Sequence, residues 1–219
     1  MRVIGGAFGG RRLRAVEGAG TRPTSDRVRE ALFGRLESRY GLEGSVVLDA
    51  FAGTGALAIE AISRGASKAV CIEVDRRAME TLRGNLRAFA LAGRVRVLGE
   101  DFRRMLPMLA AEGLRFEGAF VDPPYGKGLA VEALEVLAAK GLVVDGGWVA
   151  VETARREELP AVVGDAAATR LVQVRDDAYG DTRLALYEAE AAGRASGTVG
   201  PPTTGETGQG GEAAAEGER

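Results

Sequence analysis

Residues 47 to 60 read VLDAFAGTGALAIE. A short apolar run ends on an acid, Asp49; glycines stand at 53 and 55; a helix-forming run follows from Ala56. The glycines allow the tight turn that hands a strand straight to a helix. A strand followed at once by a helix is the crossover that a parallel sheet requires.

The same alternation continues outward. Apolar strands are expected at 46–49, 69–74, 95–98, 118–121 and 148–152, with helices near 56–64, 75–91, 102–112 and 129–139. Strands that are apolar on both faces and separated by helices predict a doubly wound, mostly parallel α/β sheet. The segment ATRLVQVRDDAYGDTRLALYEAE (168–190) reads as two strands around a turn at Tyr179–Gly180, an antiparallel pair at the sheet edge. That gives seven strands in all. Upstream, RVIGGAFGGRRLR (2–14) suggests a small twisted hairpin. In TSDRVREALFGRLESRY (24–40), Val28, Leu32, Leu36 and Tyr40 recur every four residues, a helical stripe capped by Thr24 or Ser25 after Pro23. The division is a hairpin over 1–20, an α/β domain over 21–190 and a tail over 191–219. The tail has eight glycines, no aromatic residue and one large aliphatic, Val199, so it is expected to be disordered.

Composition narrows the chemistry. The 219 residues are 46% hydrophobic and 27% charged, sufficient for one core. No apolar run reaches the ~18 residues of a membrane span, and the start lacks a secretory signal, so a cytoplasmic protein is expected. Cys71, the single cysteine, lies in the apolar run KAVCIEV and reads as a buried hydrophobe. There is no histidine, which removes Ser-His and Cys-His nucleophile schemes and any Cys/His zinc cluster; no metal is expected. The net charge of −2 argues against a uniformly basic nucleic-acid binder, yet residues 1–40 hold nine arginines against four acids.

In a doubly wound fold the ligand lies beyond the carboxyl ends of the strands. After the first strand stand Asp49, Phe51, Gly53, Thr54 and Gly55, where backbone N–H groups can approach a ligand. After the second comes Glu73, placed to accept from ribose hydroxyls; after the third come Asp101, facing an adenine amine or capping the next helix, and Phe102. The three loops together spell an adenosine-containing cofactor. After the fourth strand comes DPPY, Asp122, Pro123, Pro124 and Tyr125. The lone pair of an aromatic amine is delocalised into its ring. Two acceptors on its N–H groups, the Asp122 carboxylate and the Pro123 carbonyl, would favour a pyramidal nitrogen with a localised lone pair. The prolines fix those acceptors, and Tyr125 offers a face on which a base can stack.

With these residues in hand, the chain resembles the class I S-adenosylmethionine-dependent methyltransferases, whose Rossmann-like fold matches the strand pattern. LDAFAGTGA looks like their methionine-binding loop, Glu73 their ribose acid, Asp101 their adenine contact and DPPY their amino-methylating motif. The narrower resemblance is to the RsmD family of 16S rRNA guanine-N2 methyltransferases. It rests on TRPTSDRVREALF (21–33), VLDAFAGTGALAIEAISRGA (47–66), DPPY (122–125) and YGDTRLALY (179–187), and covers residues 1 to about 189. Ala50 stands where the family usually has Leu. The resemblance implies methyl transfer from S-adenosylmethionine to N2 of one guanine, turned out of a small-subunit rRNA loop. The substrate would be free rRNA or a partly or fully assembled subunit, and the enzyme a monomer. Arg2, Arg11, Arg12, Arg14 and Arg22 are then candidates for phosphate contacts, with Thr21, Arg22 and Thr24 near the pocket. Three rivals remain: a DNA adenine-N6 or protein glutamine methyltransferase, an NAD-dependent oxidoreductase reading GxGxxA with Glu73, and a non-catalytic RNA-binding module.

Overall fold

The computed structural model describes residues 1–16, 26–165 and 169–191. Thr21, Arg22, Thr24 and Ser25, and the tail from residue 192, lie outside them. The elements are α1 (Asp26–Arg39), β1 (Val46–Asp49), α2 (Ala56–Ser63), β2 (Lys68–Ile72), α3 (Arg76–Ala88), β3 (Val95–Leu98), α4 (Phe102–Ala111), β4 (Phe116–Val121), α5 (Leu129–Ala139), β5 (Val143–Ala154), β6 (Val162–Val163), β7 (Arg170–Tyr179) and β8 (Thr182–Glu190).

One sheet runs in the order β3-β2-β1-β4-β5-β8-β7-β6. The first five strands are parallel, and β8, β7 and β6 are antiparallel. The expected edge pair therefore exists, with β8 against β5 and the two-residue β6 as an eighth, outermost strand. The period of two along each strand separates two cores. Val47, Cys71, Phe120 and Trp148 point to the face covered by α1, α2 and α3. Leu48, Val70, Ile72, Val121 and Val151 point to the face covered by α4 and α5. Strand order reverses between β1 and β4, which pair with Asp49 opposite Phe120. A crevice opens at such a switch point, beyond the strand ends. Both singled-out loops, 50–55 and 122–125, start there.

The expected N-terminal hairpin is present but pairs over a short length. The Arg2–Arg12 bridge and backbone hydrogen bonds from Val3 to Arg11, Gly10 to Val3 and Leu13 to Met1 close it, and its loop holds a short 3-10 turn at Gly6–Phe8. The physical reason lies in α2. The buried Glu60 carboxylate accepts the Ile4 and Gly5 N–H groups at 2.7 and 2.8 Å, and the Ser63 hydroxyl accepts the Phe8 N–H at 2.8 Å. These donors bind helix side chains instead of a facing strand. From α1, the fully buried Arg29 donates to the Arg2 carbonyl at 2.8 Å and to Asp26 at 2.6 Å.

Candidate active site

At the end of β1 the Asp49 carboxylate is buried; the Phe51 and Ala58 amides lie beside it, but neither oxygen makes a hydrogen bond of full geometry among the described residues. Burial pushes its carboxyl up to about 7; the Phe51 and Ala58 amides pull the other way, and Glu73 adds repulsion. The loop then turns through Gly53 and Gly55, both at positive φ (53° and 80°). They serve different ends. A Cβ on Gly55 would lie 2.3 Å from Leu82 Cδ1, whereas one on Gly53 would meet nothing within 4 Å. Gly55 is shaped by packing, and Gly53 faces open space.

Glu73, half-buried just beyond β2, joins two loops. Its carboxylate accepts the Gly53 N–H and the Asp75 N–H, each at 2.7 Å. Phe51 packs on Phe102, with ring centroids 5.0 Å apart. Asp101 caps α4, accepting the Arg103 N–H at 2.8 Å, and pairs with the Arg103 guanidinium at 3.1 Å. The capping alternative is thus realised; Arg103 is also held by Glu132. Asp49, Phe51, Gly53, Thr54, Gly55, Glu73, Asp101 and Phe102 come together around one rim.

Beyond β4, Pro123 is buried, Asp122 half-buried, and Pro124 and Tyr125 exposed. The Tyr125 hydroxyl donates to Glu152 Oε1 at 3.1 Å and lies 3.4 Å from the Thr182 hydroxyl. Burial, with Glu152 and Asp122 adding to it, pushes this phenol up to about 12, so it is protonated at neutral pH. The next residue, Gly126, gives its N–H to Glu157 at 2.5 Å, and the Glu157 carbonyl accepts from Arg183 at 2.6 Å. Arg183 in turn pairs with Asp176. The YGDTRLALY segment therefore acts locally, because Thr182 and Arg183, at the hairpin turn, brace the DPPY loop.

Asn85, buried in α3, was missed by sequence reading. Its Oδ1 accepts the Arg14 N–H at 2.9 Å, while Nδ2 donates to the Arg14 carbonyl at 3.2 Å and the Thr54 carbonyl at 2.9 Å. One side chain thus ties the N-terminal arm to the glycine loop. The only advance signal was an Asn in a helix interior, where its amide competes with the backbone. Of the expected RNA contacts, Arg2 lies 3.6 Å from Asp26, and Arg11 caps the end of α3 at the Ala88 carbonyl (2.8 Å). Arg12 and Arg14 are exposed with no ion pair among the described residues. Thr21, Arg22 and Thr24 fall outside those residues.

The family described as "Conserved hypothetical protein 95" matches residues 1–188. Ribosomal RNA small subunit methyltransferase D of Escherichia coli K12 is 37% identical over 193 residues, 88% of this chain and 92% of that one. A hypothetical protein of Thermus thermophilus has a solved structure at TM-score 0.73 and 34% identity, covering 86% of this chain and 99% of its own. An RNA methyltransferase of Salinibacter ruber, solved with S-adenosyl-L-homocysteine, is similar in fold at TM-score 0.55 and 13% identity, covering 82% and 100%.

Proposed function

Because the chain belongs to the RsmD family, by a match over residues 1–188, we propose that it methylates the exocyclic N2 amine of a guanine in small-subunit rRNA, with S-adenosylmethionine as cofactor. Its membership and the relatives above make it a methyltransferase of rRNA with the class I fold. The guanine amine is proposed as the acceptor. One observation carries it: DPPY stands at the switch point, next to a rim whose side chains suit an adenosine cofactor.

The rim fits S-adenosylmethionine on two counts. Gly53 leaves a cradle that a Cβ would fill, and the buried Asp49 carboxylate, held by no hydrogen bond of full geometry, suits a cofactor that is cationic at its methionine end. Glu73, already holding two N–H groups, has lone pairs left for ribose hydroxyls. Asp101 and Phe102 bound the adenine end, and Thr54 and Phe51 the loop side. When bound, the cofactor supplies a methyl group already activated on a sulfonium. Asp122 and the Pro123 carbonyl accept the two amine hydrogens, which gathers the lone pair on nitrogen; the surplus proton leaves to Asp122 and then to water. Pro123 and Pro124 hold those acceptors extended. Tyr125, 45% exposed with its hydroxyl tied back, offers a ring face to the flipped base. We place the protein in the cytoplasm with its RNA, as a monomer.

The test is labelled methyl transfer to unmodified small subunits, naked 16S rRNA and duplex DNA, with the product nucleoside identified by mass spectrometry. N2-methylguanosine from ribosomal substrates is expected, and Asp122→Ala should abolish it while cofactor affinity holds. N6-methyladenine from DNA, or an active Asp122→Ala chain, would overturn the reading.

A further inference from the structure

Outside residues 1–16 and α3, ten of the fifteen described arginines sit in ion pairs. Arg35 and Arg175 pair with Asp177, Arg39 with Glu188, Arg64 with Glu37 and Glu60, and Arg96 with Glu112. Residues 1–16 and α3 break that pattern. Together they hold eight arginines and one acid, Glu80, in a chain whose net charge is −2. Glu80 is taken by Arg76, at 3.5 Å. Arg12, Arg14, Arg77, Arg83 and Arg87 are exposed with no ion pair among the described residues. Arg83 and Arg87 stand four apart on one helix, the spacing at which like charges repel and a helix loses stability.

The arm and the helix form one surface because they are fastened together. Asn85 bonds both backbone groups of Arg14, and Arg11 donates to the Ala88 carbonyl with its guanidinium 4.1 Å above the Phe89 ring. Arg14 Nη1 comes within 3.6 Å of where a Gly84 side chain would start, immediately next to Arg83 in sequence. The arm therefore rides on the last two turns of α3, with Arg14 against the turn that carries Arg83 and Arg12 two residues back along the arm. That same Asn85 reaches the Thr54 carbonyl of the cofactor loop. A polyanion lying along this surface is thus set in register with the catalytic rim.

We infer that Arg12, Arg14, Arg83 and Arg87 form one phosphate-binding surface that holds the RNA flanking the target base, an inference resting on the proposed RNA substrate. Arg11 takes a structural part, capping the helix end. The α3 half of this surface lies some 60 residues beyond the Arg-rich N-terminus, so charge counting along the sequence does not reveal it.

The experiment compares the full chain with Arg83→Gln/Arg87→Gln and with a matched pair of the same charge loss elsewhere, Arg115→Gln/Lys140→Gln. Readouts are KM and kcat on unmodified 16S rRNA, affinity for that RNA against salt, and S-adenosylmethionine affinity by calorimetry. The α3 pair should raise KM about tenfold and flatten the log–log salt slope by about 1.5, with kcat and cofactor affinity kept. The matched pair should change neither. Unchanged KM and slope in the α3 variant, or equal losses in both pairs, would overturn the surface while leaving the methylation reading standing. A wild-type chain that binds RNA with this arginine-dependent slope but methylates none of it keeps the surface and sinks that reading.

Discussion

The Tyr125 hydroxyl donates to Glu152 Oε1 across 3.1 Å, from the loop after β4 to the end of β5. A tyrosine used as a stacking platform needs a fixed ring and a free face, and this contact supplies the first without covering the second. Thr182 lies on the other side of the hydroxyl at 3.4 Å, and Glu157 fixes the following N–H of Gly126. The DPPY loop is braced by two strands that lie outside it in sequence.

That bracing separates ring from hydroxyl. Tyr125→Ala should lower kcat/KM by about 5- to 150-fold, the equivalent of about 1–3 kcal/mol of base stacking. Tyr125→Phe keeps the ring and should stay within about tenfold of wild type, since a net hydrogen bond contributes about 1 kcal/mol. Glu152→Ala should cost about tenfold in kcat, and Glu152→Gln, whose amide oxygen still accepts from the phenol, should recover most of it. Cofactor affinity by calorimetry should be unchanged throughout. Equal losses in Tyr125→Phe and Tyr125→Ala would remove the stacking role.

Asn85→Ala leaves the Arg14 N–H and carbonyl and the Thr54 carbonyl without their partner in a buried setting. The cost is about 1–3 kcal/mol of stability. Because Thr54 belongs to the glycine loop, S-adenosylmethionine affinity should fall as well. Asn85→Asp is the sharper variant: a carboxylate still accepts the Arg14 N–H but cannot donate to Thr54. It should lose cofactor affinity as much as Asn85→Ala does, and thermal melts paired with calorimetry decide this. Wild-type affinity in Asn85→Asp would cut the link between arm and loop.

Much of this architecture was readable beforehand, for a reason that the misses make plain. Runs such as Val46–Leu48 and Ala69–Ile72 are apolar on both faces, so each announces a buried parallel strand whatever surrounds it. The rim residues follow, because they sit at the ends of those strands. Glu60, Ser63 and Asn85 are polar residues within helical stretches, which locally reads as a solvent-facing side. Their partners lie 55 to 71 positions away, in the N-terminal arm. No local pattern encodes that pairing. The same holds for Glu152, Glu157 and Thr182 around the DPPY loop. β6 was invisible because two valines carry no periodicity, and β5 begins five residues early because Gly146 and Gly147 look like a turn.

Asp49 gives the pH dependence a sign. Its folded-state carboxyl is pushed up to about 7 from an ordinary value of 3.8. The folded chain therefore binds this proton more tightly than the unfolded chain does. The resulting stability is fully present below about pH 4 and is lost as pH rises through 7. Melting temperatures of the cofactor-free chain should carry this loss between pH 4 and 7, and Asp49→Asn should flatten it. Cofactor binding runs the other way. An ionised Asp49 attracts the cationic end of S-adenosylmethionine, so affinity should weaken as pH falls below 7. Asp49→Asn should bind more weakly at pH 8 and lose that dependence. A wild-type affinity that is flat from pH 6 to 8 would take Asp49 out of cofactor binding.

The two loop glycines make opposite predictions from one kind of substitution. Gly55→Ala puts a methyl 2.3 Å from Leu82 Cδ1 at φ 80°. Backbone strain of about 1–2 kcal/mol and overpacking of about 1–3 kcal/mol both fall on the folded state. The melting temperature should drop by several degrees. Gly53→Ala carries similar backbone strain at φ 53° but meets no atom within 4 Å. Its melting temperature should fall less than that of Gly55→Ala. The methyl then stands in the space the cofactor is proposed to fill, so S-adenosylmethionine affinity should drop at least tenfold. Melts of both variants, each followed by calorimetry, decide between packing and ligand contact. A Gly53→Ala chain that binds the cofactor as wild type does would mean the open side of this loop faces solvent, and the site would have to be sought further along the rim, toward Asp101 and Phe102.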